Sequence, residues 1–390
     1  MLHAWSTKSS HTASQAGVSI EPVSELDAKA LTSEGVRLGD LGRSEDAVAV
    51  YDKVVVRFGD ATEPALLEQV AKALYNKGVA LGDLGRSEDA VDAYDEVLAR
   101  FGEATELRLR ENVAWALVNK GVRLGRLGRL EDELLVYDEV LARFGEAKEL
   151  ALREGVAKSL VNKGIRLSEL GRSEEAVAVY DEVVVRFGEA KELALREGVA
   201  KSLVNKGARL GRLGRSEDEL PVYDEVIVRF GDTTEPALLE QVAGALVNKG
   251  IALGELGRSE DALLVYDEVV ARFGEAKELA LREGVAKALV GKGFLLAELG
   301  RSEDEMLVYD EVVVRFGEAT EPAQLVQVAK ALVNKGVALG ELGRSEDELL
   351  VYDEVVARFG EATEPALLEQ VTIALDNKEA RLDELGRSEQ

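Results

Sequence analysis

The sequence contains no cysteine, and its two histidines, His3 and His11, both lie close to the N-terminus. Disulfides, thiolate nucleophiles and cysteine-based metal sites are therefore excluded. A metal site or catalytic base built on histidine is excluded from the rest of the chain. We also find no nucleophile with a base, no glycine-rich phosphate loop and no metal-ligating cluster, so the sequence predicts neither an enzyme nor a cofactor.

Proline is scarce, with only six residues in a chain of 390. This scarcity favours long, uninterrupted helices, because proline breaks the hydrogen-bond pattern of a helix interior. Apolar residues make up 46% of the chain and charged residues 31%, so the chain can bury a core.

Basic residues are outnumbered by acidic ones, 48 against 74, which gives a net charge of −26. Such a surface repels nucleic acids and anionic membranes and favours a basic or neutral protein partner. No apolar run approaches the roughly 18 residues of a membrane helix, and residues 1–22 lack the apolar segment of a signal peptide. We therefore expect a cytoplasmic protein with no nucleic-acid or membrane partner.

The dominant feature of the sequence is a repeat with a period of 43 residues. Leu-Gly-Arg recurs with this step nine times from residue 41 to residue 387, and Arg-Phe-Gly and Tyr-Asp each recur eight times. The register never slips. The chain is therefore predicted to contain eight copies of one structural unit.

Each repeat is predicted to form two helices, here described for the second repeat. Apolar residues spaced by three and four predict helix A from about Glu63 to Leu84. Thr62 is its predicted N-cap, Pro64 lies in its first turn, and Gly85 follows it as a left-handed residue.

Helix B of the same repeat is predicted from about Glu88 to Phe101, with Ser87 as its N-cap and Gly102 as its stop. In later repeats the start carries a capping-box pattern, at Ser216–Glu219, Ser302–Glu305 and Ser345–Glu348. Two antiparallel helices cannot bury their apolar faces alone, so neighbouring pairs are expected to stack into a solenoid.

Seven residues carry a family resemblance: Leu74, Gly78, Leu81, Gly85, Ala90, Tyr94 and Val97. They fall at the spacing of the large, small and aromatic positions of a tetratricopeptide repeat, and the sequence resembles the long-period class with units of about 42 residues. The resemblance covers residues from about 23 to 390. It implies an all-α, right-handed α-solenoid of stacked antiparallel helix pairs.

Two departures from that family affect the expected packing. The nine residues beyond the usual period are placed in a loop and in an N-terminal extension of helix A. A small residue early in helix B is alanine in four repeats but glutamate in the other four, so we expect the contact between helices A and B to differ. The glutamates are Glu133, Glu219, Glu305 and Glu348.

The two ends of the chain differ from the repeats. Residues 1–22 show no periodicity and are predicted to be a disordered tail, followed by the repeat array over 23–363. Residues 364–390 are predicted to form a polar capping helix, because Asp376, Glu379 and Asp383 stand where other repeats carry valine, glycine and a small residue.

The resemblance implies that helix A lines a concave groove, and that an asparagine in it holds the backbone of a bound peptide. The matching residues are Asn76, Asn119, Asn162, Asn205, Asn248 and Asn334, with Gly291 interrupting the row. A second row lies four residues earlier, at Lys72, Lys158, Lys201, Lys287 and Lys330, and Trp115 and Gly244 break it. These rows could bind the carbonyls and carboxylates of a peptide. The alternative is that the asparagines bond to neighbouring helices and the lysines are merely solvated.

Three functions remain open from the sequence. The first is a protein-interaction scaffold that binds a peptide or helix of an unidentified protein partner in the groove. The second is a structural protein that self-assembles into oligomers or filaments, because near-identical repeats offer the same surface many times. The third is a sensor or spacer module that works with a separate effector. We also expect the lysine of Asn-Lys-Gly, such as Lys77, to pair with an acidic residue of helix B, and the Tyr-Asp tyrosines to lie in the core.

Overall fold

The computed structural model describes residues 23–388, which form 17 α-helices and no strand. The helix A members are α1 (Val23–Asp40), α3 (Pro64–Asp83), α5 (Leu107–Arg126), α7 (Leu150–Glu169), α9 (Leu193–Arg212), α11 (Pro236–Glu255), α13 (Leu279–Glu298), α15 (Pro322–Glu341) and α17 (Pro365–Ser388). The helix B members are α2 (Ser44–Phe58), α4 (Ser87–Phe101), α6 (Leu130–Phe144), α8 (Ser173–Phe187), α10 (Ser216–Phe230), α12 (Ser259–Phe273), α14 (Ser302–Phe316) and α16 (Ser345–Phe359). The all-α prediction, with eight helix pairs and one final helix, is confirmed. The predicted tail over residues 1–22 lies outside the described residues.

Two compact units divide the chain, one ending at Ala147 and one beginning at Lys148. Within each unit, every helix packs against the next one along the chain, and each helix A also packs against the following helix A. Among the described helices, no two helix B members pack against each other. In each unit, helix A members therefore form the closely packed inner layer, and helix B members form a more widely spaced outer layer.

A tyrosine against a glycine holds the two helices of each repeat together. Tyr94 of α4 is fully buried, and a Cβ atom added to Gly78 of α3 would lie 2.4 Å from its ring. The same approach recurs in all eight repeats, from the pair Gly35 and Tyr51 to the pair Gly336 and Tyr352. The predicted core role of these tyrosines is confirmed, and any side chain at the glycine would displace the ring.

The sequence signals around helix A are largely confirmed. Pro64 lies in the first turn of α3, and Gly85 has a φ of +75°, the left-handed conformation that only glycine adopts without strain. Helix A has 20 residues in the second to eighth repeats, and a short loop precedes it. The residues beyond the usual period therefore lie in the loop and in the helix, as expected.

The predicted N-caps are wrong. Glu63 rather than Thr62 precedes α3, Arg86 rather than Ser87 precedes α4, and neither makes a side-chain cap hydrogen bond. In the turn at Gly85, the backbone N–H of Arg86 donates to the Leu81 carbonyl at 2.9 Å, so the chain re-enters a helix at once. Ser87 is then already helical. The capping boxes fail for the same reason, since the N-caps of α10, α14 and α16 are arginines without a cap hydrogen bond.

The glycine of Arg-Phe-Gly ends helix B as predicted, but in a different conformation from Gly85. Helix α4 ends at Phe101 with Gly102 as its C-cap, and Gly102 has a φ of −56°, in the right-handed region. Its carbonyl accepts a hydrogen bond of 3.3 Å from Arg143 of the next helix B. Arg272 and Gly231, and Arg358 and Gly317, repeat this bond at 2.6 and 2.7 Å. The motif therefore links consecutive repeats through their outer helices.

The last helix, α17, packs against α15 and α16. Asp376, Glu379 and Asp383 are all exposed on it. That exposure agrees with a polar surface at this end, and the capping role stays a prediction. No helix among residues 23–388 is both long and apolar enough to span a bilayer.

Candidate protein-interaction surface

The predicted lysine row lies on the exposed side of helix A. Lys72, Lys158, Lys201, Lys287 and Lys330 are all exposed, one on each helix A that carries the row. Of these five lysines, only Lys287 forms an ion pair within the described residues, with Glu283 of its own helix at 2.6 Å. Four exposed ammonium groups are therefore unpaired in a chain of strongly negative net charge.

A second set of lysines behaves differently. Lys77 pairs with Asp52 of the preceding helix B at 2.6 Å, and its side chain is half-buried. The same pair joins Lys120 to Asp95, Lys206 to Asp181, Lys249 to Asp224, Lys292 to Asp267, Lys335 to Asp310 and Lys378 to Asp353. The pairing predicted for the Asn-Lys-Gly lysine is confirmed, and these lysines are structural ties between neighbouring repeats.

The predicted asparagine row lies between helices rather than fully on the surface. Asn76, Asn119, Asn162, Asn205, Asn248 and Asn334 are all half-buried. Asn119 donates to the hydroxyl of Tyr75 on the previous helix A at 3.1 Å. The Nδ2 atoms of Asn76 and Asn205 are buried without a hydrogen-bond partner. The asparagines therefore contribute to contacts between inner helices, and the lysines are the more accessible row.

The charge at the end of helix A differs between repeats of the second unit. The last turn of α9 carries Arg209 and Arg212, whereas that of α7 carries Arg166 and Glu169, which pair with each other. At the corresponding ends of α11, α13 and α15 the chain carries Glu255, Glu298 and Glu341, all exposed and without basic residues in the last turn. Sequence reasoning missed this change because it followed what the repeats share. The signal is visible when the repeats are compared at one position.

Buried glutamates form a further set that the sequence only partly predicted. The described structure buries Glu133, Glu219, Glu305 and Glu348 of helix B to between 3 and 4% exposure. Glu219 reaches the space above Gly211 of helix A, and the hydroxyl of Tyr223 donates to it at 3.2 Å. Helices A and B stay packed in all four repeats, and the carboxylates of Glu219 and Glu348 lie beside helix A at Gly211 and Gly340.

Two of these glutamates have contrasting neighbours. Burial and the nearby Glu341 carboxylate raise the pKa of Glu305 to about 7, and its Oε2 atom has no hydrogen-bond partner. Glu348 instead pairs with Arg381 of α17, whose Nε lies 2.6 Å from the carboxylate. The residue that matches Arg381 one repeat earlier is Ala338, so Glu305 lacks such a partner.

A family model for the tetratricopeptide repeat matches the chain at residues 32–105, 75–148 and 247–320. No curated protein matches the sequence significantly. Solved structures with a similar fold include the apo form of RapI, at a TM-score of 0.59 and 13% identity over 92% of this chain and 98% of that one.

A second similar structure is the apo form of the quorum sensor NprR from B. thuringiensis. It aligns at a TM-score of 0.52 and 16% identity over 85% of this chain and 87% of that chain. These likenesses establish the fold. With the three matches of the family model and the helix pairs described above, they identify the chain as a tetratricopeptide-repeat-like protein.

Proposed function

We propose that this chain is a protein-interaction scaffold whose helix A surface binds a peptide or helix of a partner protein. Tetratricopeptide-repeat-like proteins mediate protein interactions, and their folds are typically non-catalytic scaffolds. The partner's carboxylates meet the lysine row, and its backbone lies along the neighbouring asparagines. NprR, a quorum sensor, has a similar fold.

The unpaired lysines are the observation that carries this proposal. The lysines of Asn-Lys-Gly are tied to aspartates wherever the described ion pairs include them, whereas Lys72, Lys158, Lys201 and Lys330 have no partner. A merely solvated lysine makes no contact within the fold, yet the same helix position carries a lysine in six repeats when Lys29 of the first is included. Exposed ammonium groups at regular intervals attract a segment that carries carboxylates.

Charge reversal along the row tests the proposal. We expect a peptide selected from a random displayed library against the wild-type protein to bind at least about 10-fold more weakly to a variant with Lys158→Glu, Lys201→Glu and Lys330→Glu, because repulsion replaces attraction. Fluorescence anisotropy with the labelled peptide measures the affinity.

The matched control reverses three lysines elsewhere, Lys53, Lys191 and Lys277, which are also exposed. Both variants change the net charge equally, so a general charge effect would weaken binding in both. Equal affinity of the peptide for the two variants would overturn the assignment of the lysine row. A failure to select any peptide would count against the scaffold function itself.

Self-assembly is a second candidate, favoured by apolar side chains on the outer helices. At one position of helix B, Val56, Val185, Val228 and Val314 are between 84 and 87% exposed. At another, Leu135, Leu264, Leu307 and Leu350 are between 65 and 69% exposed. Repeated apolar residues of this kind suit lateral contact between copies of the chain.

Dilution distinguishes the two candidates. If the outer helices mediate assembly, light scattering should show a mass that falls on dilution, and replacing Leu264, Leu307 and Leu350 by aspartate should give a monomer at every concentration. A wild-type protein that stays monomeric up to about 100 µM would exclude assembly as its function.

A further inference from the structure

One place on the helix A surface differs from every other repeat. In the seventh repeat Gly291 takes the place of the asparagine, and a cavity of about 370 Å³ opens beside it between α11, α13 and α15. Its wall includes Ile251, Glu255, Tyr266, Phe294 and Glu298. Small-molecule and side-chain pockets in proteins commonly begin at roughly 300 Å³, so this cavity can hold one large side chain.

The cavity lies next to the place of the missing side chain, which Tyr266 partly occupies. A Cβ atom added to Gly291 would lie 2.8 Å from both the Cζ atom and the hydroxyl oxygen of Tyr266, so an asparagine at this position requires the Tyr266 ring to shift towards the cavity. At this position the first repeat carries Ser33 and the remaining repeats carry asparagine. Leu295 at the base is 4% exposed, which makes the floor of the cavity apolar.

The rim is apolar and unusually exposed. Phe294 is 55% exposed and Ile251 is 49% exposed, at a position where the other repeats carry valine, isoleucine or alanine. No other phenylalanine of the described chain is exposed, since each Arg-Phe-Gly phenylalanine is buried. An exposed aromatic ring next to an apolar cavity marks a binding surface.

Two features add polarity to the cavity. The Tyr266 side chain is 2% exposed, and its hydroxyl makes no hydrogen bond within the described residues. Glu255 and Glu298 line the same cavity and form no ion pair there. A tyrosine hydroxyl on the cavity wall supplies one hydrogen bond to a ligand, and two unpaired carboxylates favour a cation beside the entrance.

We propose that this cavity is an anchor site for a segment of a partner protein that places one large apolar side chain, aromatic or aliphatic, next to a lysine or arginine. The apolar side chain fills the space beside Gly291 and contacts Phe294. The basic side chain meets Glu255 and Glu298, and the Tyr266 hydroxyl donates to a backbone carbonyl of the segment. This inference rests on the proposed scaffold function and specifies where along the inner helices the partner is anchored.

Synthetic peptides test the anchor directly. The probe is a fluorescein-labelled peptide of eleven residues with a central phenylalanine between two lysines in a glycine–serine background. We expect it to bind the wild-type protein, and to lose at least about 10-fold in affinity when phenylalanine is replaced by alanine or when the lysines are replaced by glutamates. If neither replacement lowers the affinity of the peptide for the wild-type protein, the proposal is overturned.

Variants of the chain locate the site. Gly291→Asn restores the residue of the other repeats and should weaken the phenylalanine peptide at least about 10-fold, because it closes the cavity. Phe294→Ala should weaken it as well while leaving the cavity open, so the test does not depend on one substitution. The matched control is Gly244→Asn on α11, where an added Cβ meets only a Val204 methyl at 3.9 Å.

The outcomes separate this inference from the scaffold function. Peptides that bind wild type and the Gly291→Asn variant equally, but are lost on reversal of the lysine row, would overturn the anchor and leave the scaffold intact. If the free protein dimerises and Gly291→Asn abolishes the dimer, the cavity binds a second copy of the chain, and the proposal is overturned. Circular dichroism of each variant confirms that helix content is unchanged.

Discussion

Replacing Arg381 with methionine should destabilise the C-terminal helices by about 1–3 kcal/mol at pH 7, the typical cost of leaving a buried acceptor without its partner. The Glu348 side chain is only 5% exposed, and Arg381 is its ion-pair partner. Methionine keeps the apolar stem but leaves the carboxylate buried without a counter-charge. Repeats contact only their neighbours, so the loss should be local. Hydrogen exchange should accelerate in α16 and α17 and stay unchanged in α11 and α12.

The control is a second substitution in the same protein. Adding Glu348→Ala to Arg381→Met removes the stranded carboxylate and installs alanine, which four other repeats carry at this position. We expect the double variant to recover most of the lost protection. If Arg381→Met alone exchanged as slowly as the wild type, the pair would contribute nothing to stability and the argument would fail.

Replacing Glu305 with glutamine should stabilise α14 at pH 8 and have little effect at pH 4.5. The pKa of Glu305 is raised from 4.5 to about 7 by burial and by Glu341. A group whose pKa is raised on folding stabilises the fold below its unfolded pKa, and this contribution is lost as the pH rises towards 7. At about 1.4 kcal/mol per pKa unit, the wild type loses up to roughly 3 kcal/mol across this window, and glutamine loses none.

Hydrogen exchange in α14 at pH 4.5 and pH 8, corrected for the intrinsic exchange rate, measures the difference. Glu303→Gln is the control, because Glu303 is exposed on the same helix and should show no comparable change. Ala338→Arg copies the position of Arg381 and should also stabilise α14 at pH 8 by giving Glu305 a partner. The same pH dependence in the wild type and in Glu305→Gln would refute the assignment.

Sequence periodicity predicted the helices well because it depends on burial that every repeat shares. Pro64 and Gly85 mark the start and the end of helix A through backbone geometry that follows directly from residue type. Ser87 failed as an N-cap because the preceding left-handed turn, which depends on a hydrogen bond from Arg86 to Leu81, returns the chain to a helix one residue early. The residue preferences used to predict N-caps do not take this turn geometry into account.

The candidate site was only partly predictable. Exposure of the lysine row follows from helical position, whereas the half-burial of the asparagines depends on how closely successive inner helices approach. The sequence shows that Gly291 interrupts a row, but the resulting cavity depends on Tyr266 and Leu295, which come from two different helices. The position of the Tyr266 ring beside Gly291 depends on how the neighbouring helices pack, which the repeat pattern does not show.

The uneven spacing of the two helix layers has a mechanical consequence. Within each unit, inner helices touch one another and outer helices do not. Bending that separates the outer helices therefore disrupts fewer packed surfaces than bending that separates the inner ones. Each unit should therefore bend more easily in the direction that separates the outer helices than in the direction that separates the inner helices. The arginine-to-glycine bonds between successive outer helices then set the resistance to opening.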